Sequence, residues 1–131
     1  MTKLQRQRPE GRTIGPLIPP CETIARLNDR VRHGLDRSAC IVIIHGCMDA
    51  FCSGEMAQAL LAQADLLRCI RKHDFTEDAH GERDFGTLTF RGHAVFFKID
   101  YFDLALEYGS ENPADASQTT RVMTIMLSEE Y

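Results

Sequence analysis

The stretch Phe85-Gly-Thr-Leu-Thr-Phe-Arg-Gly-His-Ala-Val-Phe-Phe-Lys-Ile-Asp100 decides the fold of this 131-residue chain. With Arg91-Gly92 as a two-residue turn, Phe90 faces His93, Leu88 faces Val95, Gly86 faces Phe97 and Asp84 faces Ile99, because residues paired across an antiparallel ladder share a sheet face. One face of the hairpin then carries Leu88, Phe90, Val95, Phe97 and Ile99, and such a face has to be covered by another layer. Gly86 has a packing reason to be a glycine, since it leaves room for the Phe97 ring. Phe85, Lys98 and Asp100 share the opposite face, where an ion pair or small polar network is expected.

The cover comes from two helical patterns. Ile24, Leu27 and Val31 recur at helical spacing and Gly34 supplies a left-handed stop, which predicts a helix over about 22–33. Beyond Ser53-Gly54, the residues Met56, Ala59, Leu60, Ala64, Leu67 and Ile70 form one stripe of a second helix, about 54–72. The β-branched run from Ala39 to Ile44 reads as a central strand buried on both faces. The tail Thr120–Ser128 suits a strand, with a helix capped at Asp115 or Ser117 as the competing reading. Residues 103–115, broken by Gly109-Ser110 and Asn112-Pro113, read as a loop. The expected class is α+β: an antiparallel sheet of three to four strands around a central hairpin (85–100), with two helices packed on one face. Pro9, Pro16, Pro19 and Pro20 make residues 1–20 a flexible basic arm, leaving 21–131 as a single α+β domain.

Composition narrows the function classes. Residues 1–37 hold eight Lys/Arg against four Asp/Glu, while residues 38–131 hold seven against fifteen. A body of that sign repels phosphate backbones, so nucleic-acid contact is expected only through Lys3, Arg6, Arg8 and Arg12 of the arm. The longest strongly apolar run, Cys40–Ile44, is far short of the roughly 20 residues that cross a bilayer. The first residues lack the apolar core of a secretory signal, and a cytoplasmic protein with no membrane association is expected. An odd number of cysteines, five, argues for buried or half-buried free thiols over disulfides or a closed zinc site. Phosphate-binding glycine loops, Gly-x-Ser-x-Gly elbows, His-Glu-x-x-His helices and zinc-finger spacings are missing from the sequence.

Four ordered motifs carry a family resemblance: His80-Gly-Glu-Arg-Asp-Phe-Gly86, Lys98-Ile-Asp-Tyr-Phe-Asp103, Gly109-Ser-Glu-Asn-Pro-Ala-Asp115 and Thr120-Arg-Val-Met-Thr-Ile-Met-Leu-Ser-Glu-Glu-Tyr131. Over about residues 22–131 the chain resembles domain-of-unknown-function family 3768, small uncharacterised bacterial proteins often carried on plasmids and other mobile elements. Against the family pattern, Arg83 stands where histidine is usual, Phe97 where tryptophan is usual and Phe102 where a second tyrosine is usual. A guanidinium neither ligates metal nor accepts a proton near neutral pH, so Arg83 removes whatever chemistry that histidine supplies. The resemblance implies no established activity.

The residues themselves offer one chemical candidate. In an extended segment His80, Glu82 and Asp84 project to the same side, and Asp100 or Asp103 at the far end of the hairpin could add a fourth group. Glu82, Asp84 and Asp100 are the catalytic candidates of a small metal-dependent hydrolase, and His80, Glu82 and Asp84 its ligands for a divalent metal. A solvated acidic loop with no cofactor is the plainer reading of the same residues. Arg121 is expected to bridge to one of these acids, since a buried Asp84 needs a partner. His45 and Cys47 follow the strand but need direct side-chain contact to act as a nucleophilic pair.

The leading expectation is a binding protein, not an enzyme. From Asp74 to Asp115 there are ten Asp/Glu against three Lys/Arg, beside Tyr101, Phe102 and Tyr108. Glu77, Asp78, Glu82, Tyr101, Asp103 and Tyr108 are the expected contacts with a protein partner that has a basic surface, while Gly86, Phe97 and Arg121 serve the structure. The mobile-element setting implied by the resemblance makes such a protein an accessory factor, in its sharpest form an inhibitor of a host defence or nucleic-acid-handling complex.

Overall fold

The computed structural model describes residues 18–51, 54–76, 78 and 80–130. Most of the arm expected over residues 1–20 lies outside them. Helix α1 (Pro20–Arg32) begins two residues earlier than its apolar spacing indicates, with Pro20 at its first turn. Proline is tolerated there because its missing N–H would have no intrahelical acceptor. A short strand β1 (Cys40–Ile43) follows, then helix α2 (His45–Phe51), helix α3 (Met56–Arg71), and the hairpin strands β2 (Phe85–Phe90) and β3 (His93–Phe102). Strand β4 (Thr120–Leu127) lies between single 3-10 turns at Ala116–Gln118 and Ser128–Glu130. The strand reading of the tail thus prevails over the helical one.

The hairpin has the register read from its alternation, with Phe90 opposite His93, Leu88 opposite Val95 and Gly86 opposite Phe97. Arg91 and Gly92 both take positive φ, 51° and 84°, as a tight hairpin turn requires. A Cβ on Gly86 would lie 2.6 Å from the Phe97 ring and 2.7 Å from the His73 imidazole, so the glycine admits both rings.

Two expectations about the sheet are corrected. It is mixed, not purely antiparallel, with order β1-β4-β3-β2 and β1 parallel to β4. The run at Ala39–Ile44, expected at the centre, supplies an edge strand whose Cys40, Ile41 and Val42 are exposed. Pairing length is the physical reason: β4 pairs with β3 over eight positions, whereas four-residue β1 satisfies only half of β4. An apolar run marks a strand without saying whether one or two neighbours flank it.

Among the described residues three helices, not two, cover one face. Val31 of α1, Cys47 and Phe51 of α2, and Ala62, Leu66 and Ile70 of α3 close over Phe90, Val95, Phe97, Ile99, Met123, Ile125 and Leu127. The buried stripe of α3 is rotated from the expected one, leaving Met56, Leu60 and Ala64 exposed. With leucines at 60, 61, 66 and 67, the helix has more than one apolar face of similar strength, and docking on β2 selects among them. Burying Val31, Phe51, Leu66 and Ile70 in this layer stabilises the fold by roughly 1.5–3 kcal/mol each before entropy is counted.

Candidate functional site

Asn28 sits within the apolar stripe of α1 and is fully buried. Its amide donates to Glu82 O (2.9 Å) and to the Tyr101 hydroxyl (2.8 Å), and its Oδ1 accepts from Arg121 Nε (2.8 Å). Tyr101 donates in turn to Glu82 Oε1 at 2.9 Å. Arg121, 2% exposed, also donates to Pro113 O (2.5 Å) and lies over the Tyr101 ring at 4.9 Å. One amide side chain therefore joins α1, the 80–84 segment, β3 and β4, and Arg121 extends the network to the 103–119 loop.

The expected bridge from Arg121 to an acid is not what forms. Among the described residues its guanidinium meets a neutral amide oxygen, a carbonyl and a ring, and burial lowers its pKa. The ion pairs belong instead to Arg83, which reaches Asp29 (2.8 Å) and Glu22 (3.5 Å) and so ties the 80–84 segment to α1. Burial works against the Asp29 carboxylate, but hydrogen bonds from Arg83 and Arg32 outweigh it and hold its pKa below the usual range. Arg83 is thus a structural cation.

The four groups of the chemical candidate divide between two sides of the sheet. Asp84 O accepts from Ile99 N (2.7 Å), so Asp84 falls on the helix-covered side, with Glu82 and Tyr101. Asp100 is paired with Val122 on the opposite side and forms an ion pair with Lys98 at 3.1 Å. Burial raises the Asp84 pKa, and the nearby Glu82 and Asp78 carboxylates add to the shift. His80 is exposed. Among the described residues no three His, Cys, Asp or Glu side chains are grouped to hold a metal ion.

His45 and Cys47 diverge within α2. Cys47 is buried in the core, where desolvation, with Glu130 nearby, pushes its thiol up to about 11. It stays protonated at neutral pH and is a poor nucleophile. His45 is exposed, 3.1 Å from Asp49. Cys21, Cys40 and Cys69 are free and exposed, contrary to the expectation of burial, and Cys52 lies outside the described residues.

The side of the sheet away from the helices carries Phe85, Thr87, Thr89, Ala94, Phe96, Lys98, Asp100, Phe102, Val122, Thr124, Met126, Cys40 and Val42 by register. Phe96 and Met126 in its middle are buried. Toward β1 it opens into an apolar groove of about 300 Å³ lined by Cys40, Val42, Phe102, Leu106 and Val122. The 103–119 loop forms one bank and is tightly built. Leu106 N donates to Asp103 O (3.1 Å), Glu107 N to Asp103 Oδ1 (3.0 Å), Ser110 N to Tyr101 O (3.0 Å) and Thr119 Oγ1 to Asn112 O (2.9 Å). Leu106 is held at φ 61°, a conformation costing a side-chain-bearing residue about 1–2 kcal/mol. Leu104, Leu106 and Tyr108 are 65%, 48% and 72% exposed. Asp103, Glu107, Glu111 and Asp115 lie in the same loop, and no Lys or Arg occurs between Lys98 and Arg121.

The expected partner contacts therefore separate. Asp103 and Tyr108 belong to the groove's bank; Glu82 and Tyr101 are committed to the buried network, where burial above all raises the Tyr101 pKa; Asp78 accepts from Arg83 N at 2.6 Å; Glu77 lies outside the described residues. Asn28, Leu104 and Leu106 were not singled out by sequence. Asn28 had a signal, a polar residue on the face of Ile24 and Val31.

The family described as protein of unknown function (DUF3768) matches residues 52–130, which contain α3, β2, β3, the acidic loop and β4. No curated protein and no solved structure matches the chain. No helix among the described residues is long and apolar enough to cross a membrane.

Proposed function

Taking as premise that the chain belongs to this family of proteins of unknown function, we propose that it is a protein-binding accessory factor that docks a partner with a basic surface on the 103–115 loop and the adjoining groove. The observation that supports this reading is the loop itself. A leucine held in a left-handed conformation and half exposed, with Leu104 and Tyr108 beside it, would be a liability on a surface with nothing to contact. Carboxylates around exposed apolar side chains select a partner that presents cations around an apolar anchor, giving salt-sensitive association and an apolar centre. The hydrogen bond from the buried Arg121 guanidinium to Pro113 O ties the loop to the core. An inhibitor of a host defence or nucleic-acid-handling complex is the form this role takes in a mobile-element setting. The metal-dependent hydrolase receives less support, because Asp84 and Asp100 lie on opposite sides of the sheet.

The test compares capture from the native host by the wild-type chain and by a Leu106→Gly, Tyr108→Ser variant. The expected result is a basic protein retained by the wild type, released as salt rises from about 0.1 to about 0.5 M, and lost with the variant at a thermal stability no lower than the wild type's. A partner that binds both equally, or that ignores salt, refutes the reading.

A further inference from the structure

We propose that the cleft between the 73–78 segment and edge strand β2 is a binding site for an arginine side chain of a peptide or protein ligand. The cleft encloses about 350 Å³ and is lined by His73, Asp74, Phe75, Asp78, Phe85 and Thr87, among others. It does not rest on the reading above, since β2 and the β1 groove lie at opposite edges of the four-stranded sheet.

The construction begins with Gly86. Because it has no Cβ, the His73 imidazole and the Phe97 ring close over the strand, and His73 stands edge-on to Phe75 (centroids 4.6 Å apart) and to Phe97 (5.5 Å). The floor is thus aromatic and set by the core. Burial, reinforced by the nearby Arg32 charge, lowers the His73 pKa. At neutral pH its ring is uncharged and offers an acceptor nitrogen, with no hydrogen bond to any described residue.

Asp74 Oδ1 accepts from Thr76 N (3.0 Å) and Asp78 Oδ2 from Arg83 N (2.6 Å), which fixes both carboxylates. Among the described residues each keeps its other oxygen without a hydrogen-bond partner. Arg32, whose charge is felt at His73, is already paired with Asp29 and stacked on the Phe75 ring at 4.6 Å, which occupies one face of that ring. Phe85 is exposed at the rim, its ring tilted 35° against Phe96. Carboxylate oxygens, a neutral imidazole acceptor and the exposed Phe85 ring suit a flat, multiply donating cation, a guanidinium, better than the compact and strongly hydrated ammonium of lysine.

The experiment is a titration of ¹⁵N-labelled full-length chain with N-acetyl-arginine amide, N-acetyl-lysine amide and N-acetyl-norleucine amide, each up to about 50 mM, a range suited to millimolar single-residue affinity. Saturating amide shifts confined to residues 73–78 and 85–87 are expected with the arginine probe, several-fold weaker binding with lysine, and none with norleucine. Thr87→Lys, an exposed substitution that puts a cation on the rim, is expected to weaken the arginine probe about tenfold or more. Absence of shifts, equal response to the norleucine or lysine probe, or an unaffected Thr87→Lys variant with a native spectrum overturns the assignment. None of these outcomes touches the 103–115 loop, so this proposal and the docking reading fail separately.

Discussion

Replacing Asn28 by Ala should be the most damaging single change of a polar residue in the domain. The substitution removes three hydrogen bonds, to Glu82 O, the Tyr101 hydroxyl and Arg121 Nε. The bond to the guanidinium contributes about 1.5–3 kcal/mol as a charge-assisted interaction, and the two neutral ones about 0.5–1.5 kcal/mol each. Tyr101 retains Glu82 as an acceptor, so its loss falls at the low end. Arg121 retains Pro113 O but keeps a buried Nε–H with nothing to receive it. Together these give a loss of about 3–5 kcal/mol, against the roughly 5–15 kcal/mol available to a domain of this size. Urea denaturation followed by circular dichroism measures it, with Arg26→Ala, an exposed helix position, as the control expected to change by less than about 0.5 kcal/mol. The second arm is the double variant with Arg121→Met. If the two residues share one network, the pair should cost less than the sum of the singles by about 1–3 kcal/mol. A loss below about 1 kcal/mol for Asn28→Ala, or strict additivity with Arg121→Met, would show that the network does not join α1 to the sheet as its geometry indicates.

Three further outcomes follow from the packing. Gly86→Ala forces a Cβ to within 2.7 Å of two rings and should destabilise the fold by about 1–3 kcal/mol in the same denaturation assay, while the exposed neighbour Thr87→Ala should be near neutral. Burial raises the Asp84 pKa above its ordinary 3.8, so the folded chain holds that proton more tightly than the unfolded one; this contribution is most favourable below pH 3.8 and declines as pH rises through the folded value. Asp84→Asn should therefore raise the melting temperature at pH 7 and leave it nearly unchanged near pH 3, and a lower melting temperature at pH 7 would contradict that sign. Cys47 should resist thiol reagents in the native state and react only on unfolding, whereas Cys21, Cys40 and Cys69 should label quickly; mass spectrometry of the digested, labelled chain separates them.

The hairpin was legible because its information is local. A two-residue turn sets the register, and strict alternation then assigns every side chain from Phe85 to Asp100 to a face. That alternation also placed Lys98 beside Asp100 and Phe97 over Gly86. The two long helices and the acidic character of residues 74–115 follow from composition and spacing in the same way. What the sequence left undetermined depends on contacts between distant segments. Whether Cys40–Ile43 is central or at the edge turns on how far β4 pairs with β3; which face of α3 is buried turns on β2; and whether Arg121 finds an acid or an amide turns on Asn28, ninety-three residues away. The hairpin register already separates Asp84 from Asp100, but the alignment of His80, Glu82 and Asp84 presumed an extended segment, and the positive φ of Gly81 and Arg83 bends it. Periodicity specifies the direction of a side chain relative to its own backbone, but only tertiary packing decides which charges and surfaces meet.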